Sequence, residues 1–395
     1  MAKLKSFLKN RLVRYNVMSR FGVTLRGLER TIYRKIPESI KPIFEYLVYT
    51  VRTPFVFQKN INQFKYLLSV GRKEEINYVP PIFVVCISTV CNLKCPTCLY
   101  VLKNADVFRG GGFIKVSDFR FVIDKYAQKI EGVGLSGGEP LLHPELNKLV
   151  EITKNYGLPA DISTNGILIK KKIGVLKFFR TINVSMDGYN YETFKRFRGG
   201  TKEQFDEILE GLSLLKKNNI EFSISFLLTE ENIDKIYEML SFGYKVKPAT
   251  IGFHNINPHG SKDYKPLIKQ SKKVRQILKD IISKNDYPFD ISLPVIFDPI
   301  TQHFKTTKCI QPWYFCCFDD KGNISPCCHL WHQEEFGNIL KGNNFNSDKM
   351  KNFRKLMMNH QYSEADCLYC QRRFMREEYG LFDSRSKKWI LRNKK

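Results

Sequence analysis

The stretch Cys91-Asn-Leu-Lys-Cys95-Pro-Thr-Cys98 places three thiols within eight residues. Directly before it runs Ile82-Phe83-Val84-Val85-Cys86-Ile87, an apolar segment of strand length, so the cysteines fall on the loop leaving a buried strand. A loop this short can turn three thiolates toward one point, the donor set that an iron–sulfur cluster needs. Three ligands on a four-iron cube leave one iron open to a substrate. A zinc site would want a fourth ligand close by. The next candidate, Cys86, lies within the strand, where a thiol packs as a small apolar group.

Three more polar segments end strand-like runs. Gly137-Gly138-Glu139-Pro140 combines two glycines, which let backbone approach a ligand closely, with a carboxylate and carbonyls that accept hydrogen bonds from an ammonium group. Ser163-Thr164-Asn165-Gly166 comes next, then Asn183-Val184-Ser185-Met186-Asp187-Gly188, followed by Arg198-Gly199-Gly200. Ser185 and Asp187 offer a hydroxyl and a carboxylate for sugar hydroxyls, and Arg198 can pair with a carboxylate. Taken singly, each segment reads as an ordinary turn or cap.

In this order and spacing, the segments resemble the radical S-adenosylmethionine (SAM) enzymes. The resemblance implies a [4Fe–4S] cluster on Cys91, Cys95 and Cys98 and a SAM molecule chelating its open iron. It implies that Gly137, Gly138, Glu139 and Pro140 form the segment contacting the methionine amino group, with Glu139 supporting its geometry. Ser163, Asn165, Ser185, Asp187 and Arg198 then meet the ribose and the SAM carboxylate. One position departs from the family pattern: Thr97 stands where many members carry an aromatic residue near the adenine, and Tyr100 follows the loop. Asn257-Pro258-His259-Gly260 resembles the adenine-contacting region only loosely.

A second cysteine set begins at Cys309-Ile-Gln-Pro-Trp313-Tyr-Phe-Cys316-Cys317 and continues through Asp319-Asp320-Lys321-Gly322 to Cys327-Cys328, closing at Cys367-Leu-Tyr-Cys370. Asp-Lys-Gly-Asn between strand-like runs predicts a hairpin that brings Cys309 and Cys327 together across the ladder. The set resembles the SPASM extension of radical SAM enzymes or its truncated form, twitch, which bind auxiliary iron–sulfur clusters. This implies one auxiliary [4Fe–4S] cluster on Cys309, Cys327, Cys367 and Cys370, with Cys316, Cys317 and Cys328 as adjacent competitors. Four thiolates suit zinc equally well, so a zinc ribbon is the chemical alternative. His329 and His332 read as surface or core residues.

The elements that must hold these loops alternate strand and helix from Pro80 to Asn257. The strands are 82–88, 132–136, 160–163, 181–186, 220–228 and 249–257; helices are read at 116–130, 145–156, after 168, at 202–218 and at 232–244. Six strands so arranged predict an α/β fold with a parallel sheet, a partial (β/α)6 TIM-like barrel carrying its functional loops at the C-terminal strand ends. Around it the sequence divides into a basic helical extension (1–78), the barrel (79–262), a lysine-rich connector (263–305), a small Cys-rich α+β domain (306–376) and a basic tail (377–395).

Hydrophobic residues at 43% against 26% charged are ordinary for a soluble globular protein, so disorder is not the default reading. The formal charge of +25 favours anionic partners, or else reflects solvated lysine-rich faces. Leu4, Phe7, Leu8, Leu12 and Tyr15 recur at helical spacing among Lys3, Lys5, Lys9, Arg11 and Arg14. Such a helix packs on its own domain or lies on an anionic membrane surface. Nothing in Met1–Arg20 resembles a signal peptide and no apolar run reaches membrane-spanning length, so the expected location is cytoplasmic, with peripheral contact on the inner membrane face as an option.

The function expected is reductive cleavage of SAM to a 5′-deoxyadenosyl radical that abstracts hydrogen from a peptide, sugar-like or lipid-linked substrate, supplied with electrons by a flavodoxin or ferredoxin. An iron–sulfur electron carrier leaves the SAM-cradle segments unexplained. A zinc-containing nucleic-acid-binding protein leaves the three-cysteine loop unexplained, so no specific nucleic acid is expected.

Overall fold

The computed structural model describes residues 57–98, 111–256, 268, 271–294, 296, 309–330, 336–342, 345–361, 367, 370 and 381–390. The amphipathic segment at 4–15, Tyr100, residues 257–260 and His332 lie outside the described residues.

Six strands, β1 (Ile82–Ser88), β2 (Gly132–Gly137), β3 (Ala160–Thr164), β4 (Thr181–Ser185), β5 (Phe222–Leu228) and β6 (Thr250–Asn255), lie side by side in chain order, all parallel. Helices α2 (Val116–Tyr126), α3 (Leu146–Asn155), α4 (Ile169–Leu176), α5 (Tyr191–Arg198), α6 (Lys202–Lys217) and α7 (Ile236–Val246) carry the crossovers; α1 (Phe57–Ser69) precedes the barrel. This is the partial TIM-like barrel that the alternation predicts. All seven residues of β1 are buried, the signature of a parallel strand covered on both faces. Phe83 points outward, edge-on to Tyr126 of α2 at 5.5 Å.

From β3 to β6 the lumen face is more polar and more open. Ser163 is exposed, Asn183 and Ser185 are half-buried, and in β6 Thr250 and Gly252 are half-buried while His254 is exposed. Ile251, Phe253 and Asn255 alternate with these and are buried on the other face.

The sheet does not stop at six strands. Strand β7 (Asp290–Ser292) adds in parallel to β6, and β8 (Phe315–Phe318) adds in parallel to β1. The predicted hairpin forms as β8 with β9 (Ile324–Ser325). Residues 381–390, read as part of a basic tail, instead form the hairpin β10 (Leu381–Asp383) and β11 (Lys388–Ile390), with β10 antiparallel to β7. Its burial explains this: Leu381 and Phe382 are 3% and 1% exposed, and Phe382 and Trp389 pack on Tyr287. One eleven-stranded sheet therefore runs through the regions read as barrel, connector, Cys-rich domain and tail.

Helix α8 (Lys272–Ser283) leads into β7, and the segment before β1 is clamped by the next two helices, α9 (Gln311–Tyr314) and α10 (Asp348–Met358). Arg354, 1% exposed, donates from Nε to the Pro312 carbonyl and from Nη1 to the Glu74 carbonyl and Asn346 Oδ1. Trp313 Nε1 donates to the Lys73 carbonyl at 2.7 Å. Tyr78 donates from its hydroxyl to the Trp313 carbonyl. The described part of the N-terminal extension is thus packed into the body of the protein.

Candidate active site

The cysteine loop leaves β1 at Ser88 and is short enough to be shaped by its own backbone. Cys98 N–H donates to the Cys95 carbonyl at 3.0 Å, and Leu93 N–H donates to Cys91 Sγ at 3.4 Å. Cys95 is buried and Cys91 and Cys98 are half-buried. Burial pushes the Cys91 thiol up and the Cys95 thiol up to about 11; Cys98 adds to both shifts and Arg198 opposes them. Three thiols therefore share one low-dielectric spot with a guanidinium beside it.

Beside that loop, β2 ends in a tight backbone cradle. Gly137 has φ +130°, and a Cβ there would run into the Ser88 carbonyl oxygen and Cys86 Sγ, so only glycine fits. Gly138 N–H donates to the Ser88 carbonyl at 2.6 Å and Glu139 N–H to the Val90 carbonyl at 2.8 Å. The Glu139 side chain is fully buried and ties β2 to β3. Leu141 N–H and Thr164 Oγ1 donate to its Oε1, and Asn165 N–H donates to its Oε2. Burial pushes this carboxyl up while those donors pull it down. Through these bonds it braces the cradle against β3.

Arg198 is delivered by a well-bounded helix. Asn190 and Thr193 form a reciprocal capping box at the start of α5, and Gly199 ends it in the left-handed conformation at φ +68°. A Cβ on Gly199 would lie 3.1 Å from the Lys94 carbonyl oxygen, so the helix end rests on the cysteine loop. Arg198 Nη1 meets Asp187 Oδ2 at 3.1 Å, and Asp187 Oδ1 accepts from Leu227 N–H of β5 at 2.8 Å. Arg198 Nε is buried with no protein hydrogen-bond partner. A buried donor of that kind awaits an acceptor.

Two residues read as ribose partners are otherwise engaged. Both Asp187 oxygens accept protein donors. Asn165 donates from Nδ2 to Asn92 Oδ1 at 2.7 Å and approaches Cys91 Sγ at 4.0 Å, while its Oδ1 accepts from Ile167 N–H. Asn165 therefore braces the cysteine loop. Ser163 and Ser185 do face the lumen.

None of the seven cysteines of the second set is in a disulfide. Cys317, on β8, pairs with Ser325 on β9, two residues before Cys327. The hairpin therefore brings Cys317, not Cys309, across the ladder, because Cys309 precedes α9 and lies off the strand. Burial pushes the Cys327 thiol well up, and neighbouring Cys328, Cys367, Cys370 and Cys317 push it further. Cys309, Cys327 and Cys367 are each 9% exposed. Ser325 Oγ is buried without a protein partner. A thiol-rich pocket with a spare hydroxyl donor suits a group carrying sulfur acceptors. Among the described residues, no three His, Cys, Asp or Glu side chains are gathered tightly enough to hold a single metal ion.

Residues 85–243 match the radical SAM superfamily model. That stretch is a radical SAM domain. Enzymes of the superfamily use a [4Fe–4S] cluster and SAM, and the three-thiol loop, the glycine cradle and the spare Arg198 donor fit both. A GTP 3′,8-cyclase of Clostridium perfringens is 27% identical over 222 residues, covering 52% of this chain and 65% of that protein. An Fe-coproporphyrin III synthase of Methanosarcina barkeri is 29% identical over 184 residues, covering 45% of this chain and 44% of that one. The chain thus spans less than two thirds of the length of these relatives. Streptococcus suis SuiB bound to SAM shares the fold at a TM-score of 0.55 and 14% identity, over 81% of this chain and 76% of SuiB. The protein anSMEcpe, with bound SAM and a peptide, does so at 0.52 and 19%, over 75% and 88%.

In this radical SAM domain, Asn92, Thr164 and the Ser88 carbonyl complete the site without having been read from the sequence. Thr164 and Asn165 adjoin a strand end, which is the one local signal; the pairing of Asn92 with Asn165 spans 73 residues.

Proposed function

We propose that this chain is a radical SAM enzyme whose Cys91, Cys95 and Cys98 hold a [4Fe–4S] cluster that receives SAM at its open iron. The reduced cluster would supply the electron that splits SAM into methionine and a hydrogen-abstracting 5′-deoxyadenosyl radical. The observation that carries the reading is Arg198, a buried guanidinium set against three thiols with Nε left for a ligand. Arg198 would pair with the methionine carboxylate, and the Gly137–Gly138 backbone would take the amino group. Ser163 and Ser185 remain for the ribose, while Asp187, Glu139 and Asn165 hold the other groups in place. Because burial keeps the Cys91 and Cys95 thiols protonated at neutral pH, ligation releases protons.

Cys309, Cys327, Cys367 and Cys370 would hold an auxiliary [4Fe–4S] cluster, which either accepts an electron from the substrate radical or positions the substrate. For the substrate we favour a peptide. Besides the two serines left to the ribose, the lumen face presents Asn183, Thr250 and His254, side chains that suit backbone amides, and SuiB and anSMEcpe carry a peptide in their solved structures. Anaerobic reconstitution followed by dithionite-driven SAM cleavage tests the reading. About eight irons per chain and formation of 5′-deoxyadenosine support it. A fully loaded protein that forms none, with or without candidate peptides, would return the chain to the electron-carrier class.

A further inference from the structure

The end of the barrel opposite the cysteine loop carries aromatic and cationic side chains that the proposed chemistry does not use. In a parallel β/α barrel the helices run back against the strands, so their C-terminal ends and following turns gather at the N-terminal strand ends. Lys125, Lys154 and Lys217 close α2, α3 and α6 there. Lys129, Lys177 and Lys247 stand in the turns that follow helices, and all six are exposed. A helix dipole favours cations at these ends. It does not account for what lies between them.

Phe121 is 48% exposed and Phe178 44%, and Tyr156 is 38% exposed. These rings form one run across three neighbouring helices. Lys125 Nζ lies 5.7 Å from the Phe121 ring centre, and Tyr156 donates from its hydroxyl to Asp124 Oδ1 on the same helix at 2.9 Å. Lys154 Nζ sits 3.8 Å over Phe178, and Lys177 Nζ lies 5.0 Å from it. Carboxylates are present too, at Asp124, Glu131 and Glu221; Asp124 is engaged by Tyr156, and lysines outnumber the three.

We propose that this floor is a docking surface for an anionic phospholipid bilayer, with Phe121 and Phe178 entering the headgroup region and the lysines meeting lipid phosphates. The choice of partner follows from the side chains. Phenylalanine has no hydrogen-bonding group for a base edge, and the cations set on the rings are lysines, which act as point charges; of the arginines nearby, Arg180 is committed to Asp161 and Arg120 lies beside Tyr156. Phe beside Lys matches the boundary between acyl chains and anionic headgroups. Long-range attraction is supplied by the formal charge of +25. Docked this way, the cysteine loop faces away from the bilayer and stays open to soluble substrates.

The test is co-sedimentation of the full chain with phosphatidylcholine vesicles, with and without about 30% phosphatidylglycerol, at about 0.1 M salt. Binding should require the anionic lipid and fall about tenfold or more in Lys125→Glu/Lys154→Glu/Lys177→Glu. The same charge reversal at Lys3, Lys5 and Lys9 should change it less. Phe178→Trp reports depth: the emission of the new indole should be quenched by brominated lipid in anionic vesicles. Equal iron content shows that each variant is folded. The proposal is overturned if the floor variant binds as the parent does, if only the N-terminal variant loses binding, or if Phe178→Trp sediments with vesicles and its added emission is unquenched. Floor-dependent binding to RNA with no response to phosphatidylglycerol overturns it as well.

Discussion

Asp187 holds Arg198 with one carboxylate oxygen and the backbone of β5 with the other, so a single buried side chain fixes the cation at the cysteine loop and joins two strand ends. Burial pushes the Asp187 carboxyl up, and Arg198, the first of the opposing influences, pulls it back. Asp187→Asn keeps an acceptor for Leu227 but leaves the guanidinium uncompensated. The expected cost is on the order of 3 kcal/mol in denaturant unfolding, with SAM affinity reduced and iron content unchanged. A variant with normal SAM affinity would mean that Arg198 does not act through this pair.

Arg198 itself separates binding from folding. Arg198→Lys preserves the charge and loses the planar fork, which at a buried carboxylate site is not a conservative change. SAM binding measured by calorimetry should weaken about tenfold or more, roughly the loss of one charge-assisted hydrogen bond, while the visible absorption of the reconstituted cluster stays as in the parent. Loss of that absorption would make Arg198 a support for the cysteine loop alone.

What was legible in the chain was what is local. Cys91, Cys95 and Cys98 sit within one loop, Gly137 and Gly138 stand at one strand end, and the alternation of apolar runs predicts the order of β1 to β6. Contacts across long separations left no such trace. β8 adds to β1 from more than two hundred residues away, and its four residues, Phe-Cys-Cys-Phe, are too few to show a period. Leu381-Phe382-Asp383 reads as part of a charged tail because only its pairing with β7 makes it a strand. Cys317 could not be told from Cys309 without the ladder, since both are cysteines before the same turn. Asp187 and Asn165 were read as ligand contacts, yet their hydrogen bonds go to Arg198, Leu227, Asn92 and Ile167. A polar side chain at a strand end carries no mark in sequence of whether it faces a ligand or braces a neighbouring loop.

Glu139→Gln probes the brace between β2 and β3. The carboxylate accepts three donors at 2.7–2.9 Å, and an amide has one acceptor oxygen to offer them. At least one buried donor is left facing an NH2 group, at a cost of about 1–3 kcal/mol. The unfolding midpoint in urea should fall, and SAM should bind more weakly, because the Gly137–Gly138 backbone is held through the same residue.

His143, just past the glycine cradle, makes stability depend on pH. Glu145 N–H donates to its Nδ1 at 3.1 Å, so Nε2 carries the proton and donates to the Ile114 carbonyl at 2.9 Å. The ring is held neutral, and burial pushes its pKa below the ordinary 6.5. The unfolded chain therefore takes up the proton first as pH falls. The stabilisation is fully present above about 6.5 and is lost progressively below it. Thermal unfolding should show a midpoint that drops between pH 7.5 and 5.5, and His143→Gln should flatten that part of the profile. An unchanged profile in the variant would assign the dependence to other groups.

The second cysteine set yields the sharpest count. Cys327→Ala should remove about four of about eight irons and leave SAM cleavage measurable, since the Cys91 loop is untouched. Zinc in the parent at that site, with about four irons in all, would replace the auxiliary cluster by a structural ion. The fourth ligand is decided by two further variants. Cys309→Ser should also lose about four irons and Cys317→Ser should keep them, because Cys317 lies inside a regular ladder, 1% exposed, with its backbone committed to β1 and β9. The opposite pair of results would move the cluster onto the strand. It would then sit against the edge of β1, whose loop carries Cys91, and a direct electronic path between the two sites would follow.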